Sequence, residues 1–265
     1  MDVVTRLRAA GCVFAEDEAR LLVEAAPSPA ELEAMVDRRV AGLPLEHVLG
    51  FAEFRGLRVA VDPGVFVPRQ RTAHLVELAV PYARPGAVVV DLCCGSGALG
   101  AAVADAVPDA LVYAADLDPA AVACARRNLP ADRVFEGDLY AALPGELRGR
   151  VDVLVVNAPY VPTDAIALMP PEARDHEPLV ALDGGADGLD VQRRVAAGAP
   201  EWLAPGGALL LETSDRQAPT TLAAFERAGF TARVERDDEV GATVVVGVAA
   251  IGVAVVGVTA PRPRR

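Results

Sequence analysis

The chain predicts an α/β protein: an open, mostly parallel, doubly wound sheet with helices on both faces, preceded by a small helical unit and a hairpin. From residue 70 onward, short Val-rich apolar runs alternate with Ala-rich helical stretches, which is the rhythm of strand, crossover helix and parallel strand. Three of those runs end in a polar residue, Asp91, Asp116 and Asn157, and in such sheets the carboxyl ends of the strands carry the chemistry. Composition agrees. The apolar majority is mostly Ala, Val, Leu and Gly, and aromatic residues make up only 5%, a balance suited to short strands and Ala-rich helices rather than an all-β sandwich.

Residues 1–45 read as the helical unit, because Val4, Leu7, Leu21 and Leu22, then Leu32, Met35, Val36 and Val40, recur at helical spacing around a break at Pro27-Ser28-Pro29. Residues 46–69 change character. Phe51, Phe54, Leu57, Val59 and Val61 alternate with polar or small residues, and Gly56 suits a turn, so this segment reads as a hairpin linking two domains. The main domain, residues 70–250, opens with a helix carrying Leu75 and Leu78. A strand at 87–90 ends in Asp91, and a Gly-rich turn leads to a helix at 99–106. A strand at 111–115 ends in Asp116, followed by a helix at 120–128 and a short strand at 134–135. A strand at 151–156 ends in Asn157; a helix at 189–203, a turn at Pro205-Gly206-Gly207 and a strand at 208–211 follow. Between Val240 and Pro261 there is no charged residue. The stretch is long enough to span a membrane, but its four glycines suit a final strand and an apolar tail better. A membrane contact is held in reserve for residues 240–260, and 251–265 is read as an apolar and basic tail.

At 265 residues the chain can bury one large core and a small second unit. With 52% hydrophobic residues and a mean hydropathy of +0.30 it lies far from the composition of disordered chains. A formal net charge of −12 provides no overall positive field for a phosphate backbone, so no direct nucleic-acid partner is expected. Four cysteines are too sparse for a disulfide scaffold, and no charged-then-apolar segment opens the chain. A cytoplasmic setting is expected.

Asp91-Leu92-Cys93-Cys94-Gly95-Ser96-Gly97 follows the first core strand and opens a helix. Its glycines permit a sharp turn and close approach of a ligand to main-chain N–H groups. Gly95, Gly97 and Gly100 also satisfy the Gly-x-Gly-x-x-Gly spacing of dinucleotide sites, which keeps a nicotinamide oxidoreductase open. Asp91 argues against that reading: a carboxylate there opposes a pyrophosphate but suits the cationic amino-acid end of S-adenosylmethionine. Asp116 is placed to accept from a ribose diol; Asp118 before Pro119 reads as a helix cap. Asp138 can accept from an adenine amino group or stand as a solvated loop carboxylate. Cys93 and Cys94 read as packing residues, and His47, His74 and His176 as structural or surface groups. No spacing suggests a metal.

The sharpest local signal is Asn157-Ala158-Pro159-Tyr160 at a strand end. The Asn157 side-chain oxygen and the Ala158 carbonyl can each accept one hydrogen of a planar NH2, while Tyr160 supplies a packing face. Holding both hydrogens aims the nitrogen lone pair at an electrophilic methyl group, so rate comes from orientation rather than from a strong base.

On these residues the chain resembles the HemK-like protein-(glutamine-N5) methyltransferases, which modify the glutamine of the Gly-Gly-Gln motif in peptide chain release factors. The likeness spans about residues 5–248. It includes Glu18-Ala19-Arg20-Leu21-Leu22, Gly42-Leu43-Pro44-Leu45, Pro63 through Arg69, Asp91 through Gly97, Asn157 through Tyr160, and the blocks 171–178 and 182–189. The resemblance implies a class I S-adenosylmethionine-dependent methyltransferase with seven strands, the last antiparallel. It implies a catalytic set of Asn157, Ala158, Pro159 and Tyr160. For the cofactor it implies Asp91, Cys93, Gly95, Gly97, Asp116, Leu117, Asp138, Leu139 and Asn157, with no metal. It also implies a release factor as protein partner, engaged in part by the N-terminal helices. Composition does not choose between monomer and dimer.

Three departures stand out. Ala158 replaces the family's first proline, Arg71 stands where the Pro-Arg-Pro-Glu-Thr segment has its acid, and Glu212-Thr213-Ser214 replaces Glu-Ile-Gly. They leave methyl transfer in place and open a second acceptor class, another protein amide or a small-molecule amine or amide. DNA adenine methylation, with a similar tetrapeptide, and a non-catalytic release-factor adaptor are weaker alternatives, the first because of the charge and the lack of a target-recognition domain, the second because Asn157 and Tyr160 are intact.

Overall fold

A computed structural model describes residues 2–251. Residues 252–265, almost all of the apolar and basic tail, lie outside the described residues, as does the far half of the 240–260 stretch. Helices α1 (Val3–Ala9), α2 (Ala15–Ala25) and α3 (Pro29–Val40) enclose Leu7, Leu22, Met35 and Val36. Ser28 explains the break between α2 and α3. Its Oγ accepts from Glu31 N at 3.2 Å while Pro29 occupies the first turn of α3, where proline loses no hydrogen bond. A further short helix, α4 (Leu45–Leu49), stands where the sequence suggested only hairpin, and ends at Gly50 with φ +80°. The hairpin itself is compact: β1 (Phe51–Phe54) pairs antiparallel with β2 (Leu57–Ala60). Arg55 and Gly56 turn between them, both with positive φ, the conformation whose twist matches two-residue hairpins.

The main domain follows as α5 (Ala73–Ala79), β3 (Val88–Leu92), α6 (Ala98–Ala106), β4 (Leu111–Asp116), α7 (Pro119–Ala125), β5 (Val134–Glu136), β6 (Val151–Val156), α8 (Pro171–His176), α9 (Asp190–Trp202), β7 (Leu203–Glu212), α10 (Ala218–Arg227), β8 (Thr231–Asp237) and β9 (Ala242–Val248). The sheet order is β5-β4-β3-β6-β7-β9-β8. Neighbours from β5 to β7 run parallel, and β9 is antiparallel to both β7 and β8. The order reverses between β3 and β6, and a crevice at such a switch point is where ligands bind in open α/β sheets.

Alternation along the buried strands builds two cores. Val89 of β3 packs with α5 and α6 around Leu75, Leu99 and Val103. Val88, Val90 and Leu92 face the opposite layer with Trp202 and Phe225, as the period of two in a strand requires. Trp202 is 2% exposed and stacks on Tyr140 with ring centroids 5.8 Å apart.

Two boundaries differ from the sequence reading. Strand β7 begins at Leu203, so Pro205-Gly206-Gly207 lies within it. The pairing with β6 shifts register between Val151 and Val153, the mark of a bulge that absorbs these residues. The uncharged stretch from Val240 enters the interior of the sheet as β9, hydrogen-bonded on both sides. Its apolar run therefore reflects a strand buried on both faces. No helix among the described residues is long and apolar enough to cross a membrane.

Candidate active site

The carboxyl ends of β3, β4 and β6 open into one cavity of about 600 Å³, the size of a small-molecule site. The loop after β3 forms one wall. Cys93, Gly95 and Gly97 all have positive φ, at 60°, 55° and 78°. At Gly97 a Cβ would come within 3.0 Å of Leu129 and 3.3 Å of Ala125, so only glycine lets the loop sit this close to α7. Asp116, at the end of β4, accepts from Gly95 N at 2.8 Å and from Asp118 N at 2.9 Å, using one lone pair on each oxygen and leaving two for a ligand. Burial pushes its carboxyl above the usual range. Leu117, Asp138 and Leu139 line the same cavity as Cys93, Gly95 and Asp116. Asp138 also meets Arg194 of α9 at 2.7 Å. Cys93, read as packing, is half-buried and faces the cavity.

Asp91 is the exception. It is 0% exposed, lies beneath the loop rather than on the cavity wall, and accepts from Gly100 N at 2.8 Å through Oδ2. Burial pushes its carboxyl up to about 8, and Oδ1 has no hydrogen-bond partner among the described residues. Asp91, expected beside a cationic ligand, thus sits beneath the loop that lines the cavity and not on the cavity wall itself. The cause is the pleat of β3, whose side chain at this position points toward α6. The same contact accounts for Gly100, where a Cβ would come within 3.2 Å of both Asp91 and Val112. Gly100 thus serves close packing of α6 on the sheet, a role the third glycine of this spacing has in dinucleotide sites as well, so the spacing does not choose between cofactors.

Asn157 leaves β6 into the cavity together with Ala158, Pro159 and Tyr160. Among the described residues no hydrogen bond engages the Asn157 side chain or the Ala158 carbonyl, so both acceptors are available. The tetrapeptide is held from behind. Gln217 Nε2 donates to the Tyr160 carbonyl at 2.9 Å and to the Asp187 carbonyl at 3.0 Å. Val161 and Asp183 form a parallel bridge, and the segment 161–189, the cap, contributes Val161, Met169 and residues 178–183 to the cavity lining. Glu177, 6% exposed, ties this cap to the linker: it accepts from Val67 N at 3.2 Å and from Arg69 at 2.7 Å.

Sequence reasoning did not single out Arg194, Gln217 or Glu177 as site residues. Arg71 was visible only as a departure, and Glu212 only as the retained first residue of the altered segment Glu212-Thr213-Ser214. In the fold Arg71 Nη2 donates to Tyr160 Oη at 2.7 Å and Nε faces Glu212 Oε1 at 3.4 Å. These contacts join residues far apart in the chain, and no local pattern announces them. Among the described residues no group of three or more His, Cys, Asp and Glu is arranged to hold a metal ion.

Sheet order, Gly-rich loop and the cavity at the switch point together define the fold of class I S-adenosylmethionine-dependent methyltransferases. A family model described as the methyltransferase small domain matches residues 56–169, and the crystal structure of a methyltransferase from Pyrococcus furiosus shares the fold. That structure gives a TM-score of 0.56 at 19% identity, covering 83% of this chain and 98% of that one. Sequence relatives go further. The release factor glutamine methyltransferase of Geobacter sulfurreducens is 41% identical over 229 residues, 83% of this chain and 79% of the relative; that of Streptomyces coelicolor is 44% identical over 189 residues, 69% and 67%. The chain belongs to the release factor glutamine methyltransferase family. A 4-amino-L-phenylalanine/4-methylamino-L-phenylalanine methyltransferase of Streptomyces pristinaespiralis is also similar, 37% identical over 214 residues, 77% of this chain and 73% of the relative.

Proposed function

We propose that this protein transfers a methyl group from S-adenosylmethionine to the side-chain amide nitrogen of glutamine, in the Gly-Gly-Gln motif of a peptide chain release factor. The observation that carries the reading is the pair of unengaged acceptors, the Asn157 side-chain oxygen and the Ala158 carbonyl, in one cavity with Asp116 and the Gly95–Gly97 loop. The donor set fits the cofactor: Asp116 retains lone pairs for a ribose diol, Leu117 and Leu139 offer apolar surface, and Asp138 lines the same cavity for the adenine. The loop glycines allow the close approach that an amino-acid end needs, and Asp91 supports that loop through the first turns of α6.

When bound, S-adenosylmethionine supplies the electrophilic methyl group. The chain's own part is orientation. Asn157 and the Ala158 carbonyl each take one hydrogen of the acceptor NH2, which fixes its plane and points its lone pair along the transfer direction. Pro159 stiffens the turn through its fixed φ, and Tyr160 packs against the amide. Buried Ala158, 1% exposed, keeps the required carbonyl in place without proline's constraint.

A second acceptor class is favoured by one observation, the similarity to the aminophenylalanine enzyme of Streptomyces pristinaespiralis. An arylamine presents the same planar NH2 to the same two acceptors. Incubating the protein with S-adenosylmethionine and, in parallel, a purified release factor and 4-amino-L-phenylalanine separates the two. Methylation of the glutamine supports the reading above, and methylation of the small amine alone replaces it.

A further inference from the structure

Tyr160 is held at both ends, at its main chain and at its hydroxyl. Its main-chain carbonyl accepts from Gln217, and its hydroxyl accepts from Arg71 Nη2 at 2.7 Å. Arg71 is itself anchored. Its Nε faces Oε1 of Glu212, a residue 1% exposed at the end of β7, and Glu212 Oε2 has no hydrogen-bond partner among the described residues. The guanidinium thus spans from a buried carboxylate to the one aromatic ring of the tetrapeptide, and its own side chain, 40% exposed, lines the cavity. A planar fork can serve two acceptors in fixed directions at once, which the point charge of a lysine cannot.

We propose that Arg71 is a positioning residue for the acceptor: anchored by Glu212, it holds the Tyr160 hydroxyl and so fixes the ring face against which the acceptor's planar NH2 group lies. The inference rests on the methyl-transfer reading of the site. The same arrangement explains how this chain carries a base at the cleft. Arg71 pairs with a buried carboxylate instead of presenting a free cation to the acceptor, so an ion pair that holds the ring stands where the family's acid would face Glu212.

Removing Arg71 alone would leave Glu212 buried and unpaired and could unfold the chain, so the test uses Arg71→Lys and the double variant Arg71→Met/Glu212→Gln, which removes both charges together. One readout needs no acceptor: tyrosine labelled with 13C at Cζ, the Tyr160 resonance assigned by Tyr160→Phe. In the double variant the Tyr160 signal shifts while those of Tyr82, Tyr113 and Tyr140 stay. With release factor as acceptor, kcat falls about tenfold, the loss expected for one charge-assisted hydrogen bond, at unchanged S-adenosylmethionine affinity, and Arg71→Lys recovers part of it. A double variant whose Tyr160 signal and kcat match the wild type overturns the proposal. A loss of cofactor affinity in step with thermal stability, at an unmoved Tyr160 signal, overturns it too, since that marks a merely structural residue. Should the wild type fail to methylate release factor, the functional reading falls, and the Tyr160 resonance alone then decides on Arg71.

Discussion

At the scale of single residues, the proposed chemistry rests on Asn157, which lines the cavity and whose side chain has no hydrogen-bond partner among the described residues. Asn157→Ala removes one of the two acceptors that orient the NH2, and a misplaced nucleophile costs at least about a hundredfold in rate. Initial rates should show that loss, while calorimetry finds S-adenosylmethionine affinity largely preserved. Asp91 makes a different prediction. Its carboxyl ionises near 3.8 in the unfolded chain and near about 8 when buried, so between those values the folded state keeps a proton that the unfolded state releases. Its contribution to stability is full below about pH 4 and is lost as pH rises through about 8. Asp91→Asn, which cannot ionise, should therefore flatten the fall of melting temperature across that window. Asp116, Glu177 and Glu212, also raised by burial, remain in the variant and act in the same direction, so the difference between the two curves reports Asp91. Equal slopes would show that the buried carboxyl does not titrate there.

At the scale of elements, the cap of residues 161–189 depends on close backbone contacts. Gly188 has φ +77°, and a Cβ there would lie 2.2 Å from the Tyr160 carbonyl and 2.4 Å from Gln217 Nε2. Gly188→Ala combines backbone strain with a clash against the main chain of the tetrapeptide. It should cost about 2 kcal/mol or more in a denaturant titration and lower kcat beyond what the stability loss explains. Glu177→Gln tests the other anchor. It removes the carboxylate that Arg69 and Val67 share, at about 1–3 kcal/mol, and limited proteolysis should cut the segment around residues 161–189 faster than in the wild type. Which elements the sequence disclosed follows from the same physics. Strands β3, β4 and β6 are continuous apolar runs because both their faces are covered, and each ends in a residue of the site. Strand β8 was not separately read: Thr231-Ala232-Arg233-Val234-Glu235-Arg236-Asp237 carries four charged residues, at 233 and 235–237, and it is the edge of the sheet, where charge blocks further pairing. Helix α4 has five residues, too few for periodicity to reveal.

At the scale of the whole molecule, the site is assembled from segments that the fold brings together from across the chain. The Gly-rich loop, Asp116 and the tetrapeptide were legible because each sits directly after a recognisable strand. Arg71, Glu212, Glu177 and Gln217 were not, because their roles arise only when the linker, the cap and the end of β7 converge. The burial of Asp91 was not legible for a related reason: its neighbours in sequence are loop residues, but the pleat of β3 points it toward α6 beneath them. The N-terminal helices join the same assembly through Arg39, which pairs with Glu18 inside the helical unit and reaches Glu172 of α8 at 2.7 Å, so the unit is tied to the cap rather than appended to it.

The central claim is that the cavity methylates a glutamine amide held by Asn157 and the Ala158 carbonyl. Mass spectrometry of the organism's own release factor, after incubation with the purified protein and S-adenosylmethionine, tests it most directly. The account predicts a gain of one methyl group, localised by fragmentation to the glutamine of Gly-Gly-Gln and absent with Asn157→Ala. An unmodified release factor, from a protein that binds S-adenosylmethionine normally, would contradict it and move the acceptor to a different amide or amine.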